Sequence, residues 1–253
     1  VYAEERQQAI LERARARGRV DVTALAEEYS VTTETIRRDL TFLERHGVLR
    51  RVYGGAIPVE RLGFEPALAT REAVLTAEKK RIAKAALEEL PDEGSILLDA
   101  GSTTARFAEE LPTDRELTVV THAVKIALHL ATRPNITLML LGGRLRSRTL
   151  ATVDSWALHA LSEIFVDVAF IGTNGISVER GLTTPDPAEA VIKRAAIASS
   201  RRCVLLADHT KVGNDHFTRF AELKDIDTFI TDDGIDGAAA DELADAGPRV
   251  VKV

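Results

Sequence analysis

Past residue 95, short apolar runs alternate with segments of helical periodicity, and no other feature restricts the fold as much. Ser95–Leu98, Leu117–Val120, Thr137–Leu141, Val168–Ile171, Cys203–Leu206, Thr228–Ile230 and Val250–Val253 read as strands. Thr103–Leu111, Ala123–Thr132, Trp156–Leu161 and Ala188–Ser200 read as helices between most of them, and Ala77–Leu90, stopped by Pro91-Asp92-Glu93-Gly94, as the helix before the first strand. Strands joined through helical crossovers pair in parallel, and the helices then cover both faces of the sheet. An α/β domain is expected. Only 5% of residues are aromatic against 45% hydrophobic overall, so its core must be aliphatic.

Residues 1–57 differ in character. Ile10, Leu11 and Ala14 recur at helical spacing within Ala3–Arg17, and Gly18 is the expected stop. A second helix, with Leu25, Ala26 and Tyr29 as apolar positions, follows Asp21 or Val22. Ser30-Val31 makes a turn, and Thr32 is the N-cap of a third helix ending near Arg45. Two helices joined so tightly outline a helix-turn-helix. At about 100° per residue, Ile36, Leu40 and Leu43 share one stripe of the third helix, while Arg37, Thr41, Glu34, Arg45 and Arg38 lie on the far side. With Thr33 and Thr35, this face offers hydroxyls and arginine forks, groups that match phosphates and base edges in a major groove. A solvated, salt-bridged helix would show the same pattern.

The segment that follows favours the groove. Val48–Tyr53 alternates like a strand, Gly54-Gly55 suits a tight turn requiring positive φ, and Ala56-Ile57 begins a return strand. A helix-turn-helix followed by such a hairpin is a winged helix, with Arg50 and Arg51 on the wing. The net charge of −6 argues against nucleic acid, but its distribution does not. Ile36–Arg61 holds six arginines (37, 38, 45, 50, 51 and 61) against Asp39, Glu44 and Glu60, and charges more than about 10 Å away are largely screened.

Leu25-Ala26, Val31-Thr32, Thr35–Leu40, Leu43, Gly47, Leu49, Arg51 and Gly54–Ala56 together resemble the DNA-binding signature of the DeoR family of bacterial transcriptional regulators. The resemblance implies double-stranded operator DNA as partner, touched by Arg37 and Arg38, with Asp39 orienting a neighbouring arginine.

In α/β sheets, ligands bind beyond the carboxyl ends of the strands. Asp99-Ala100-Gly101-Ser102-Thr103-Thr104 lies at one such end, where Gly101 permits close approach and the backbone N–H groups and hydroxyls of a helix N-terminus cradle an anion. Ordinary N-capping would use the same residues. Thr121-His122, Gly142-Gly143, Gly172-Thr173-Asn174-Gly175 and Asp208-His209-Thr210-Lys211 are further loops expected at this edge. Glu78-Lys79, Asp99 with Gly101–Thr104, Phe170-Ile171-Gly172, Lys193, and Asp208 with Lys211 resemble the DeoR sensor domain, similar in fold to ribose 5-phosphate isomerase. That resemblance implies a phosphorylated sugar or polyol effector, bound among Asp99, Gly101, Ser102, Thr103, Thr104, Thr121, His122, Gly142, Gly143, Gly172, Asn174, Gly175, Lys193, Asp208 and Lys211. His122 departs from the family pattern, which often has Asn there. By overall resemblance to actinobacterial fructose-operon repressors, fructose 1-phosphate is the first candidate and glycerol 3-phosphate the next.

An isomerase needs a positioned carboxylate base, and the isomerase carries carboxylates in the loop that Ile171–Gly175 resembles. Here that loop has none, and Glu189 reads as solvated or structural. No catalytic residue, metal or cofactor is expected. His209 and His216 read as hydrogen-bonded loop residues, His129 and His159 as surface or cap residues, Trp156 as packing, and Cys203 as a buried inert thiol. Arg144, Arg146 and Arg148 read as a coated loop, with an anion site as the other possibility. No run reaches the ~18 apolar residues of a membrane helix, and the charged first residues are unlike a signal peptide. The expectation is a cytoplasmic repressor, at least dimeric, without membrane contact. Its parts are a winged helix-turn-helix (1–58), a linker (59–76) containing Phe64 and Pro66, and an α/β sensor (77–253). The alternative is an active sugar-phosphate isomerase with an N-terminal dimerisation module.

Overall fold

Side-chain caps decide where the first helices begin. In this computed structural model, which describes residues 3–17, 19–52, 54–58 and 65–253, α1 (Ala3–Arg17) is followed by a two-residue strand β1 (Val20–Asp21). The Asp21 carboxylate then accepts from the N–H groups of Thr23 (2.9 Å) and Ala24 (3.2 Å), starting α2 (Val22–Glu28) at once. Thr32 caps α3 (Thr33–Arg45) in the same way, its hydroxyl accepting from Thr35 N–H at 3.2 Å. Ile10, Leu25, Ile36, Leu40 and Leu49 fill a core that belongs to these elements alone. Strands β2 (Leu49–Val52) and β3 (Gly55–Pro58) form the wing, and β1 pairs with β3 to make a three-stranded sheet.

The two glycines of the wing serve different ends. Gly54 has φ of +74° and makes the turn, as expected. Gly55 does not adopt positive φ; a Cβ there would overlap the Val20 carbonyl oxygen, so it is needed for the close approach of β1. Gly18, Tyr53 and Phe64 lie outside the described residues.

The chain divides into two units, Val1–Pro66 and Ala67–Val253. Residues 67–76, expected in the linker, are folded into the second unit. There Leu68 is buried in α4 (Leu68–Glu72), and α5 (Thr76–Ala85) follows, ending in a 3-10 turn over Ala86–Glu89 rather than running on as α-helix. Next come β4 (Gly94–Leu98), α6 (Ser102–Glu110), β5 (Leu117–Thr121), α7 (Val124–Leu130) and β6 (Ile136–Leu140). Arg144–Arg148, expected as loop, is largely the hairpin of β7 (Arg144–Arg146) and β8 (Ala151–Val153). The chain continues through α8 (Ser155–Ser162), β9 (Val166–Ile171), β10 (Gly175–Ser177), β11 (Gly181–Thr184), α9 (Pro187–Ala198), β12 (Ser200–Leu206), β13 (Thr218–Ala221), β14 (Thr228–Thr231), α10 (Gly237–Asp245) and β15 (Arg249–Lys252).

The main sheet has seven parallel strands in the order β15-β14-β12-β9-β4-β5-β6. One apolar core lies under α5, α6 and α7, where Phe107 and Phe170 meet with ring centroids 4.3 Å apart. The other lies under α8, α9 and α10 and extends onto the small antiparallel sheet β10-β11-β13. Trp156, expected to pack, is instead 77% exposed, because α8 turns Ala157 and Leu161 to the core and Trp156 outward. Cys203 is buried in β12, and burial pushes its thiol pKa well up. The strand order reverses between β4 and β9. Neighbouring strands there send their connections to opposite faces, and a crevice opens at their carboxyl ends.

Candidate functional site

The first unit presents the arginine face of α3. Arg37 and Arg38 have side chains 55% and 82% exposed, and Glu34 reaches them only loosely, at 3.7 and 3.9 Å. Exposed pairs of this kind contribute at most about 1 kcal/mol, so both guanidinium groups are readily given up to phosphate. Thr41 bonds back to the Arg37 carbonyl (2.7 Å) and accepts from Arg51 Nη1 (3.0 Å), while Glu44 accepts from the Arg51 N–H (2.9 Å). Wing and helix are thereby held in one register. Thr35 shares its hydroxyl with Thr32 at 2.9 Å, Thr33 opens the helix, and Arg50 is placed by the backbone of β2 opposite Ile57. Asp39 faces away from this surface. It is buried and takes Arg6 Nε at 2.6 Å and Gln7 Nε2 at 2.8 Å, so the arginine it orients is on α1 rather than adjacent in sequence.

In the second unit a solvent-open cleft sits at the crevice between β4 and β9, lined in part by Arg71, Gly101–Thr104, Gly172–Asn174, Lys193 and Lys211. Gly101, the N-cap residue of α6, has no side chain to cap the helix, so the first-turn N–H groups keep no intrahelical or side-chain acceptor. Those groups and the helix dipole give the cleft one positive wall. Thr104 is turned inward, donating to the Gly101 carbonyl at 3.1 Å.

Beneath this wall lies a buried ion-pair network. Asp99 Oδ2 takes the Lys193 ammonium and the Gly172 N–H (2.8 Å), and Lys193 also donates to the Gly172 carbonyl at 2.9 Å. Burial alone would raise the Asp99 pKa, but Lys193 first and then His122 hold it at about 2. His122 Nδ1 donates to the Thr152 carbonyl (3.0 Å), since a carbonyl can only accept, and Nε2 sits between the Ala100 nitrogen (3.1 Å) and Asp99 Oδ1 (2.9 Å). Its ring therefore ties the strand-end loops of β4 and β5 to strand β8. Thr121 joins β5 to β4 through the Leu98 carbonyl at 2.7 Å.

Asp208 is buried below Lys211, and its carboxylate accepts from Thr210. Burial would raise its pKa, and Lys211, followed by Lys79, lowers it below the ordinary value. Gly101, Ser102, Thr103, Thr104, Gly172, Asn174, Lys193 and Lys211 thus line the cleft as a group. Asp99, Thr121, His122 and Asp208 support it from beneath. Gly142, Gly143 and Gly175 are not part of the lining; Gly143 and Gly175 are pressed against the backbone of Val153 and Asn214.

Arg71, Thr173, Glu189, Leu206 and Ala207 also line the cleft, although the sequence reading leaves them out. Glu189 is buried and bound by Arg146 and Thr149, a structural role; Asp186 takes the other side of Arg146 at 3.0 Å. A lone arginine in a stretch of weak periodicity carries no sequence signal, so Arg71 is found only through the fold. His209 is hydrogen-bonded as expected, with Asp232 as partner at 2.6 Å. Among the described residues no group of three or more His, Cys, Asp and Glu is arranged to hold a metal, and no helix is long and apolar enough to cross a membrane.

Residues 6–61 match the DeoR-like helix-turn-helix domain, and residues 75–233 match the DeoR C terminal sensor domain. The HTH-type transcriptional regulator GlpR of Haloferax volcanii is 37% identical over 247 residues, covering 98% of this chain and 96% of that protein. The HTH-type transcriptional regulator FruR of Bacillus subtilis is 35% identical, and the glycerol-3-phosphate regulon repressor of Escherichia coli 31%, each over 90% of both chains. Among solved structures, ribose 5-phosphate isomerase A from Methanocaldococcus jannaschii aligns over 53% of each chain with a TM-score of 0.40 and 20% identity. The sorbitol operon regulator SorC from Klebsiella pneumoniae aligns over 75% of this chain and 84% of that one, with a TM-score of 0.39 and 13% identity.

Proposed function

Because this chain belongs to the DeoR family of DNA-binding transcriptional regulators, we propose that it represses a carbohydrate-use operon and leaves its operator when a phosphorylated sugar or polyol enters the cleft. The observation that carries this reading is the uncapped first turn of α6 at Gly101–Thr104, set opposite Lys211 and above the Asp99–Lys193 pair. N–H groups and cations converging on one point neutralise a phosphate that the apolar sheet beneath could not. The sugar then lies toward Asn174 and Thr173. Fructose 1-phosphate is the first effector to try and glycerol 3-phosphate the second.

An effector releases DNA only if it binds the DNA-incompetent arrangement more tightly. A two-fold pair of readers on repeated half-sites, joined through the sensor, fits such a scheme. The isomerase reading is not favoured. The loop Gly172–Gly175 has no carboxylate, and the full-length relatives are named as regulators.

Operator release titrated with fructose 1-phosphate, glycerol 3-phosphate and ribose 5-phosphate tests the proposal. Ser102→Asp puts negative charge where the phosphate should sit and is expected to give a repressor that binds DNA and is not released. Lys211→Ala is expected to weaken the effector by about 1.5–3 kcal/mol, one charge-assisted hydrogen bond. Normal release of the Ser102→Asp variant places the phosphate elsewhere, and turnover of ribose 5-phosphate overturns the assignment as a binder.

A further inference from the structure

Arg71 differs from the other cations of the cleft in where its backbone leads. It sits on α4, the first element of the sensor unit, which begins ten residues after β3 ends at Pro58. The stretch of chain that carries Arg71 is therefore the one that runs to the DNA-reading unit.

Several contacts hold α4. Leu68 is buried and its N–H donates to the Arg148 carbonyl at 3.0 Å, and Glu72 pairs with Lys125. At its far end the chain turns sharply through Leu75, a non-glycine residue with φ of +52°. A branched side chain is disfavoured in that left-handed region, so the turn must be held from outside. Lys79 holds it: the buried ammonium donates to the carbonyls of Arg71 and of Val74 (2.6 Å).

The clamp sits in an unfavourable field. Burial first, and then the nearby charges of Lys211, Arg71 and Arg106, bring the Lys79 pKa down to about 8, with Asp208 as the opposing carboxylate. A phosphate among Ser102–Thr104, Arg71 and Lys211 would add negative charge beside these cations and favour the charged clamp.

We propose that Arg71 and Lys79 form the coupling device of the sensor: a phosphate in the cleft engages Arg71, strengthens the grip of Lys79 on the carbonyls of residues 71 and 74, and so tightens residues 67–76, the part of the sensor unit nearest in sequence to the DNA-reading unit. This rests on the reading of the cleft as a phosphate site and adds to it how occupancy leaves the site. Arg71 is a positioning residue in this scheme as well as a ligand contact.

Hydrogen exchange on the full chain, with and without saturating fructose 1-phosphate or inorganic phosphate, separates the two ideas. Wild type is expected to show slower exchange at both 101–105 and 67–76, by roughly tenfold or more. In Arg71→Gln, saturated with the same probe, 101–105 should still be protected, while 67–76 exchanges as in the empty protein and DNA is not released. Lys79→Met removes the clamp without touching the cleft wall and should give the same split. Wild-type protection at 101–105 without any at 67–76 overturns the coupling device and leaves the phosphate site standing. No protection at 101–105 with either probe overturns both. Normal protection of 67–76 and normal release in Arg71→Gln or Lys79→Met also overturns the device.

Discussion

Arg6 Nε and Asp39 Oδ2 lie 2.6 Å apart, with side chains 8% and 5% exposed, and this contact fastens α3 to α1. Arg37-Arg38-Asp39 looks like one charged run in the sequence, yet the fold divides it between solvent and interior. The carboxylate is withdrawn from the exposed arginine face of α3, which leaves that face more positive and gives α3 a fixed seat.

Asp39→Ala should therefore act on folding before it acts on DNA. It leaves the Arg6 guanidinium buried without its carboxylate, a loss of about 3–5 kcal/mol for a pair of this burial. Urea unfolding of the full chain is expected to show an earlier transition for the first unit and an unchanged one for the sensor. A single unshifted transition would remove the structural role of the pair.

The wing glycines should separate in the same kind of measurement. Gly54→Ala keeps the space but places a Cβ at φ of +74°, a penalty of about 1–2 kcal/mol. Gly55→Ala drives a methyl into the Val20 carbonyl and should displace β1 altogether. DNA affinity is expected to fall modestly for the first and severely for the second. Equal losses would mean that the close approach of β1 is unimportant.

Arg37→Ala and Arg38→Ala should fold normally, since both side chains are exposed. If an arginine reads a base, its loss weakens operator binding by about 1–3 kcal/mol and relaxes sequence preference. If it meets phosphate, affinity drops evenly and the slope of log K against log salt falls by about one. Unchanged affinity in both variants would remove α3 from the DNA interface.

Asp99 makes stability depend on acid. Its pKa is about 2 in the folded chain against 3.8 as the ordinary value, so the unfolded chain binds the proton first as pH falls. The stabilisation, about 2 kcal/mol, is fully present above the ordinary value and is lost as pH falls through the folded one. Asp99→Asn should be less stable than wild type at neutral pH, also because Lys193 is left as a buried cation. The gap in urea midpoints should narrow from pH 4 toward pH 2. A gap of constant size across that range would show that the carboxylate charge is not what stabilises the site.

The parallel strands and most of their helices are legible in the sequence because each apolar run is too short for a helix and is flanked by helical periodicity. The β10-β11-β13 sheet is not, since Gly175–Ser177, Gly181–Thr184 and Thr218–Ala221 are three or four residues long and mix glycine and threonine with few apolar positions. The cleft is half legible. Gly101–Thr104 and Lys211 announce themselves by their place at strand ends, whereas Arg71 depends on α4 packing against α6. His122 is a third kind of case. Its residue type suggests ligand contact, but tertiary packing turns the ring inward to join two strand-end loops to β8.

Asp99 and Lys193 meet across 94 positions, and the cleft lining runs from Arg71 to Lys211. The first unit, by contrast, fills its core with residues from Ile10 to Ala56. Chains emerge from the ribosome N-terminus first and fold unit by unit. Each newly made molecule thus passes through an interval in which the helix-turn-helix unit has a complete core and the cleft of the sensor unit does not yet exist. The order of synthesis completes the reader before the unit that holds the cleft.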